Sequence, residues 1–313
     1  MAKDVDAEPV TYAGSMSCPS CHLAIPASKE NFVLYLLADK ALQCPSCEFA
    51  LDWWQLISKA LSDGFLGAQY APVGTHSTIT EVTLIQGQHS QIDLQHLDIP
   101  ESARILEINY TGRGDKKEPA DADGTLAPLS MPSNNPYERI PPAEPIFLYP
   151  MPIGPSPPQK QPASVMITWI DEGALSLSDS SLLGAVEALN SDRNADAVLS
   201  AAGAAEVSID RALTDFFERT ASPGAVERLM RIGIAEKADV LLPSVCATIG
   251  IPPLRRAPAE AFRSLRKLRN RAAHGGHLPT DTTDKQVANG VAGAVFAVAH
   301  AQLASDKLAA EPD

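Results

Sequence analysis

Apolar residues recur along this chain with two different periods. From about residue 76 to 111 they alternate with polar ones, as in Thr80-Glu81-Val82-Thr83-Leu84 and Ile105-Leu106-Glu107-Ile108-Asn109-Tyr110. Alternation of period two marks strands with one buried face. Ile146-Phe147-Leu148-Tyr149 and Val165-Met166-Ile167-Thr168-Trp169-Ile170 extend this texture. Before Ile146, a stretch rich in Pro, Gly, Asp and Ser, about 112–145, reads as an insertion with too few apolar residues for a core of its own. The expectation is a small β domain over 76–172.

After Gly173 the period becomes helical. Val198, Ala202, Ala205, Ile209, Ala212 and Phe216 form one stripe at spacings of three and four. Gly, Pro and capping residues cluster near Ser191–Asn194, Ser222–Gly224, Gly250–Pro253 and Gly275–Thr283, which places the helix breaks there. Short connections imply antiparallel neighbours, so 174–308 is expected to form a helical bundle. No solenoid repeat is present.

Residues 12–60 carry a different signal. Cys18 and Cys21, and Cys44 and Cys47, form two Cys-Pro-Ser-Cys pairs separated by 22 residues. Four thiolates at this spacing can converge tetrahedrally on Zn²⁺ and leave no open position. The arrangement resembles a zinc ribbon, with a structural metal contributing on the order of ~10 kcal/mol to folding. Trp53, Trp54, Leu56 and Ile57 supply its apolar cover. Cys246, inside ADVLLPSVCATIG, reads as a small core residue. The fold class expected is thus multidomain α+β: zinc ribbon, small β domain, all-α bundle.

Composition narrows the partners. The 313 residues are 45% apolar with a net charge of −13, which argues against nucleic-acid binding over the whole surface but not against a local basic patch. No run reaches the ~18–20 consecutive apolar residues of a membrane span, and MAKDVDAEPV lacks a signal-peptide pattern. A cytoplasmic protein without a membrane is expected.

The basic patch lies within 255–271, where seven basic residues meet one acid, Glu260. Projected on a helix, Phe262, Leu265, Leu268 and Ala272 share the apolar face. Arg263, Lys267, Asn270 and His274 lie opposite, and Arg269 sits at the margin. The string Leu268-Arg269-Asn270-Arg271-Ala272-Ala273-His274-Gly275 resembles the Arg-x4–6-His signature of the HEPN superfamily.

That resemblance implies an all-α HEPN-like bundle, a homodimer, and metal-independent ribonuclease activity as in a toxin or defence effector. Many members cleave RNA, and others bind or regulate without activity. Cleavage through the 2′-hydroxyl needs a group titrating near neutrality and a fixed cation. His274 suits the first role, Arg269 the second, and Asn270 can orient either the imidazole or a phosphate. Arg263, Lys267 and Arg271 would bind the RNA or nucleotide substrate.

A structural reading competes with this one. An ideal helix turns Arg269 and His274 about 140° apart, so one straight helix does not aim both at one phosphate. Arg269 could pair instead with Glu206, and His274 could serve as a favourable cation at a helix end. The alternative is a non-catalytic nucleotide- or RNA-binding or dimerisation module in a zinc-ribbon regulatory protein. Small residues on several faces of Val287–Leu303 suggest the dimer surface. The ribbon, with only Lys29 and Lys40 as basic residues between its knuckles, or the β domain, would contact a protein partner.

Overall fold

The computed structural model describes residues 10–12, 15–20, 24–26, 29–37, 42–44, 47–63, 75–85, 88, 90–112, 146–148 and 160–310. Along the chain these form β1 (Val10–Tyr12), β2 (Ser15–Ser17), β3 (Ala24–Pro26), α1 (Lys29–Leu37), β4 (Leu42–Gln43), β5 (Ala50–Leu51) and α2 (Trp53–Asp63). Then come β6 (Thr75–Ile85), β7 (Ser90–Ile92), β8 (Ala103–Gly112), β9 (Ile146–Leu148) and β10 (Lys160–Asp171). The helices α3 (Leu177–Asn190), α4 (Asn194–Thr220), α5 (Pro223–Met230), α6 (Ile234–Glu236), α7 (Leu242–Thr248), α8 (Arg256–Gly275) and α9 (Asp284–Ala310) follow. Of the Pro-rich stretch 112–145, all but Gly112 lies outside the described residues.

Two compact units result, one from residues 1–14 and 75–174, the other from 15–74 and 175–313. In the first, four antiparallel strands run in the order β1-β6-β10-β8, with β7 paired to β9. Ala163, Val165, Ile167 and Trp169 are all buried, the alternate positions of β10 that a half-buried strand requires. They join Leu84, Ile92, Leu94 and Ile105 in one core. The indole N–H of Trp169 donates to the buried Thr78 hydroxyl at 2.9 Å, so the bulky ring is buried without stranding its polar atom.

The second unit joins the two segments that the sequence suggests as separate domains, the Cys-pair region and the helical region. Its core helix is α9, where Val287, Val291, Val295, Phe296, Val298 and most of the intervening alanines are buried. Helices α4 and α8 pack on it, and so do α1 and α2 from the N-terminal segment. The small residues on its several faces are therefore covered within the chain. By length and composition α9 could cross a membrane, but 83% of its most apolar window is buried inside the unit.

Helix boundaries follow local chemistry. The N–H of Gly276, at φ 70°, returns to the Ala272 carbonyl at 2.8 Å and closes α8 in a left-handed cap. Thr283 and Gln286 form a reciprocal capping box before α9. The stripe of α4 is buried from Val198 to Ala212. Cys246 is wholly buried on α7, and that burial pushes its thiol pKa up to about 12, as expected of a core residue rather than a nucleophile.

Candidate functional site

Three of the four paired cysteines lie among the described residues, and the fold brings them together. The sulfurs of Cys18, Cys44 and Cys47 all fall within 4.8 Å of one another, and Cys18 Sγ lies 3.6 Å from Cys47 Sγ. That separation is far too long for a disulfide. Sulfurs held 2.3 Å from a tetrahedral centre stand about 3.8 Å apart, so the spacing fits thiolates around one metal ion. The backbone N–H of Ser20 points at Cys18 Sγ at 3.4 Å, a donor that would stabilise the thiolate charge. Cys18 and Cys44 are buried and Cys47 is exposed. Cys21 lies outside the described residues.

An aromatic seam joins this cluster's segment to the bundle. Phe296 of α9 is met by Phe32 at 4.6 Å, by Trp54 at 5.7 Å and by Tyr35 at 5.9 Å between ring centroids. The guanidinium of Arg255 lies 4.3 Å over the Tyr35 ring, a favourable cation–π arrangement. Tyr35 donates its hydroxyl to Asp52 at 2.9 Å, and Asp52 also accepts from Trp54 N–H at the start of α2. Burial and the Asp52 carboxylate push the Tyr35 pKa up to about 12.

Most basic side chains of α8 are occupied. Arg256 pairs with Glu260 at 2.7 Å. Arg263 and the buried Arg266 share Asp239, at 3.1 and 2.7 Å. Burial raises the Asp239 pKa, but its hydrogen bonds to Arg266 and Arg263 outweigh that effect and hold the carboxyl below its usual range. Arg269 reaches Glu206 on α4 at 3.4 Å. The pairing with Glu206 considered from the sequence is thus formed.

Among Arg269, Asn270 and His274, the first two are linked by a hydrogen bond of 3.5 Å. His274 is exposed in the last turn of α8 and bonds to neither. Lys267 and Arg271 differ from the other cations of the helix. They have no acidic partner among the described residues, and both line a cavity of about 380 Å³ together with Trp54, Gln286 and Asn289. No family model, curated protein or solved structure matches this chain.

The cavity was not legible in the sequence. Trp54 reads locally as cover for the Cys-pair segment, and no spacing rule places it against residues more than 200 positions away. The adjacent Trp53-Trp54 pair is the one available signal, because a helix directs consecutive side chains about 100° apart. Trp53 is buried and Trp54 half-buried.

Proposed function

We propose that the chain is a zinc-held binding protein whose HEPN-like bundle takes RNA or a nucleotide through α8 without turning it over. The observation that carries this reading is the division of charge along α8. Arg263, Arg266 and Arg269 are neutralised by acids of the same chain, whereas Lys267 and Arg271, one turn apart, remain available to phosphate. The donor set of Cys18, Cys44 and Cys47, with Cys21 as fourth ligand, suits structural Zn²⁺ in a ribbon. A cytoplasmic location is part of the proposal, and a homodimer rests on the HEPN resemblance alone, since the small residues of α9 are covered within the chain.

Fluorescence anisotropy with a labelled single-stranded RNA of mixed sequence tests it. Binding should weaken steeply with salt and fall in a Lys267→Gln, Arg271→Gln double variant. Salt-independent binding, or an unaffected double variant, would overturn the reading.

A second reading, metal-independent RNA cleavage, is favoured by one observation. Asn270 and His274 are both exposed, with Arg269 bonded to Asn270. In that case the same RNA, incubated without magnesium, should yield 2′,3′-cyclic phosphate ends while DNA survives. His274→Ala should then slow the reaction by ~10²- to 10⁴-fold.

A further inference from the structure

The cavity beside α8 has a largely apolar lining, and the polar groups on it are donors almost exclusively. Gln286 Oε1 already accepts from the Thr283 N–H at 2.7 Å and from the Thr283 hydroxyl at 3.3 Å. Asn289 Oδ1 accepts from the Ser58 hydroxyl at 2.5 Å. Both amides therefore have their carbonyls engaged, and their NH₂ groups have no partner among the described residues. The Ser264 hydroxyl donates back to the Glu260 carbonyl at 3.0 Å. Glu260, the one acid in the lining, has its carboxylate compensated by Arg256.

What remains is two cations one helical turn apart, two amide donors, an indole, and the apolar surface of Ala261, Leu268 and Gly290. Such a lining calls for an acceptor-rich anion that carries a flat ring. The volume of about 380 Å³ lies in the range of about 300–1,000 Å³ found for small-molecule sites. It is large enough for one ring system with its phosphate. The walls come from α2, α8 and α9, so the site exists only because the Cys-pair segment docks on the bundle.

We infer that this cavity is a binding site for a free mononucleotide, whose phosphate pairs with Lys267 and Arg271 and whose base lies against Trp54. Arg271 can grip phosphate oxygens through two N–H groups at once, and Lys267 adds a point charge. Base–indole stacking tolerates any base, while Gln286 and Asn289 donate to ring or sugar acceptors. The inference rests on the binding reading above and narrows it to a small ligand.

Isothermal titration calorimetry of the full, zinc-loaded chain tests it with AMP and GMP as probes, beside adenosine, inorganic phosphate and the single-stranded RNA. Both nucleotides should bind one per chain. Adenosine and phosphate, each lacking half of the recognised groups, should bind at least ~10-fold more weakly. The Lys267→Gln, Arg271→Gln double variant keeps helix-forming side chains and removes only exposed charge. It should lose about ten- to a hundredfold in nucleotide affinity with an unchanged melting temperature. Trp54→Leu should weaken AMP but not phosphate; because Trp54 also packs on Phe296, its fold is checked by circular dichroism. RNA binding without nucleotide binding would overturn the inference and leave the broader reading standing. Binding of neither would overturn both. Nucleotide binding that persists in the double variant places the ligand elsewhere and overturns the inference.

Discussion

Phe32 and Phe296, 264 positions apart in the sequence, meet with ring centroids 4.6 Å apart at a tilt of 45°. Phe32 belongs to the helix that follows the first cysteine pair, and Phe296 lies at the centre of the bundle's core helix. Both rings are nearly inaccessible to solvent. Loss of order in the Cys-pair segment must therefore expose the middle of α9.

If the cysteine cluster holds a metal, its loss is thus expected to destabilise the bundle as well as the Cys-pair segment. Cys44→Ser should lower zinc content and also lower the melting temperature read from the helical circular dichroism signal, which α3 to α9 dominate. Phe296→Ala should cost ~3–5 kcal/mol, as for other buried aromatic truncations. A helical melt indifferent to zinc removal would disprove the coupling.

The Arg269–Glu206 pair leads to a second prediction. Glu206 Oε1 is buried without a hydrogen-bond partner among the described residues, and Oε2 takes the guanidinium. Arg269→Ala would leave this carboxylate without its cation, so the variant should lose ~1–3 kcal/mol. Arg269 is itself 37% exposed, which screens part of the attraction and favours the lower end. A double-mutant cycle with Glu206→Gln should give a coupling of ~0.5–2 kcal/mol. Zero coupling in urea melts would free Arg269 from this structural duty and strengthen the catalytic reading.

Acid sensitivity should arise from His300. This ring is buried on α9, and Nε2 lies 2.9 Å from the Pro252 carbonyl. Burial lowers its pKa, and the carbonyl only partly offsets this. The unfolded chain takes up the proton at about pH 6.5, before the folded one does. Stability is then complete above that pH and declines as pH falls through the window beneath it. Melting temperatures from pH 8 to 5 should show this decline, and His300→Gln should flatten it. An equal slope in the variant would assign the proton to another group. Asp239 adds a separate loss at lower pH, since its depressed pKa stabilises the fold only while the carboxylate remains charged.

Residues whose role depends on local periodicity were legible in the sequence. Val198 to Ala212 read as one buried stripe and Val165 to Ile170 as a strand, because a local period decides each set. The four helix breaks follow from Gly, Pro and capping residues in the same way. The convergence of Cys18, Cys44 and Cys47 was also readable, since thiolate spacing is nearly a geometric instruction.

Long-range placement was hidden. Val10–Tyr12 adds an edge strand to the β unit across the 62 residues that separate it from β6, and nothing in three residues specifies a partner so distant. Likewise, the Ala- and Val-rich α9 shows that it must be covered on several sides but not by what. The same pattern suits a dimer surface and an intrachain core. Trp54, Lys267 and Arg271 form a candidate site only after the segment carrying Trp54 has found α9.

The close approach of α8 and α9 yields the last prediction. A methyl group added at Gly293 would lie 2.5 Å from the Phe262 nitrogen and 2.8 Å from the Ala261 carbonyl carbon. Both are backbone atoms of the facing helix, so no rotamer change relieves the clash and the two helices must separate. At Gly290 the first contact would be 3.0 Å to the Leu265 side chain, which can give way. Alanine is the better helix former by ~1 kcal/mol, so propensity alone predicts that both substitutions stabilise. Overpacking costs ~1–3 kcal/mol and occasionally more. At Gly293 that cost should win, giving a net loss of ~1–2 kcal/mol, whereas Gly290→Ala should fall near zero. Separation of α8 from α9 also alters the cavity that Lys267 and Arg271 share with Asn289. Gly293→Ala should thus weaken nucleotide binding at temperatures well below its melt. Equal stability of the two variants in urea denaturation would show that the helix crossing is less tight than this geometry requires.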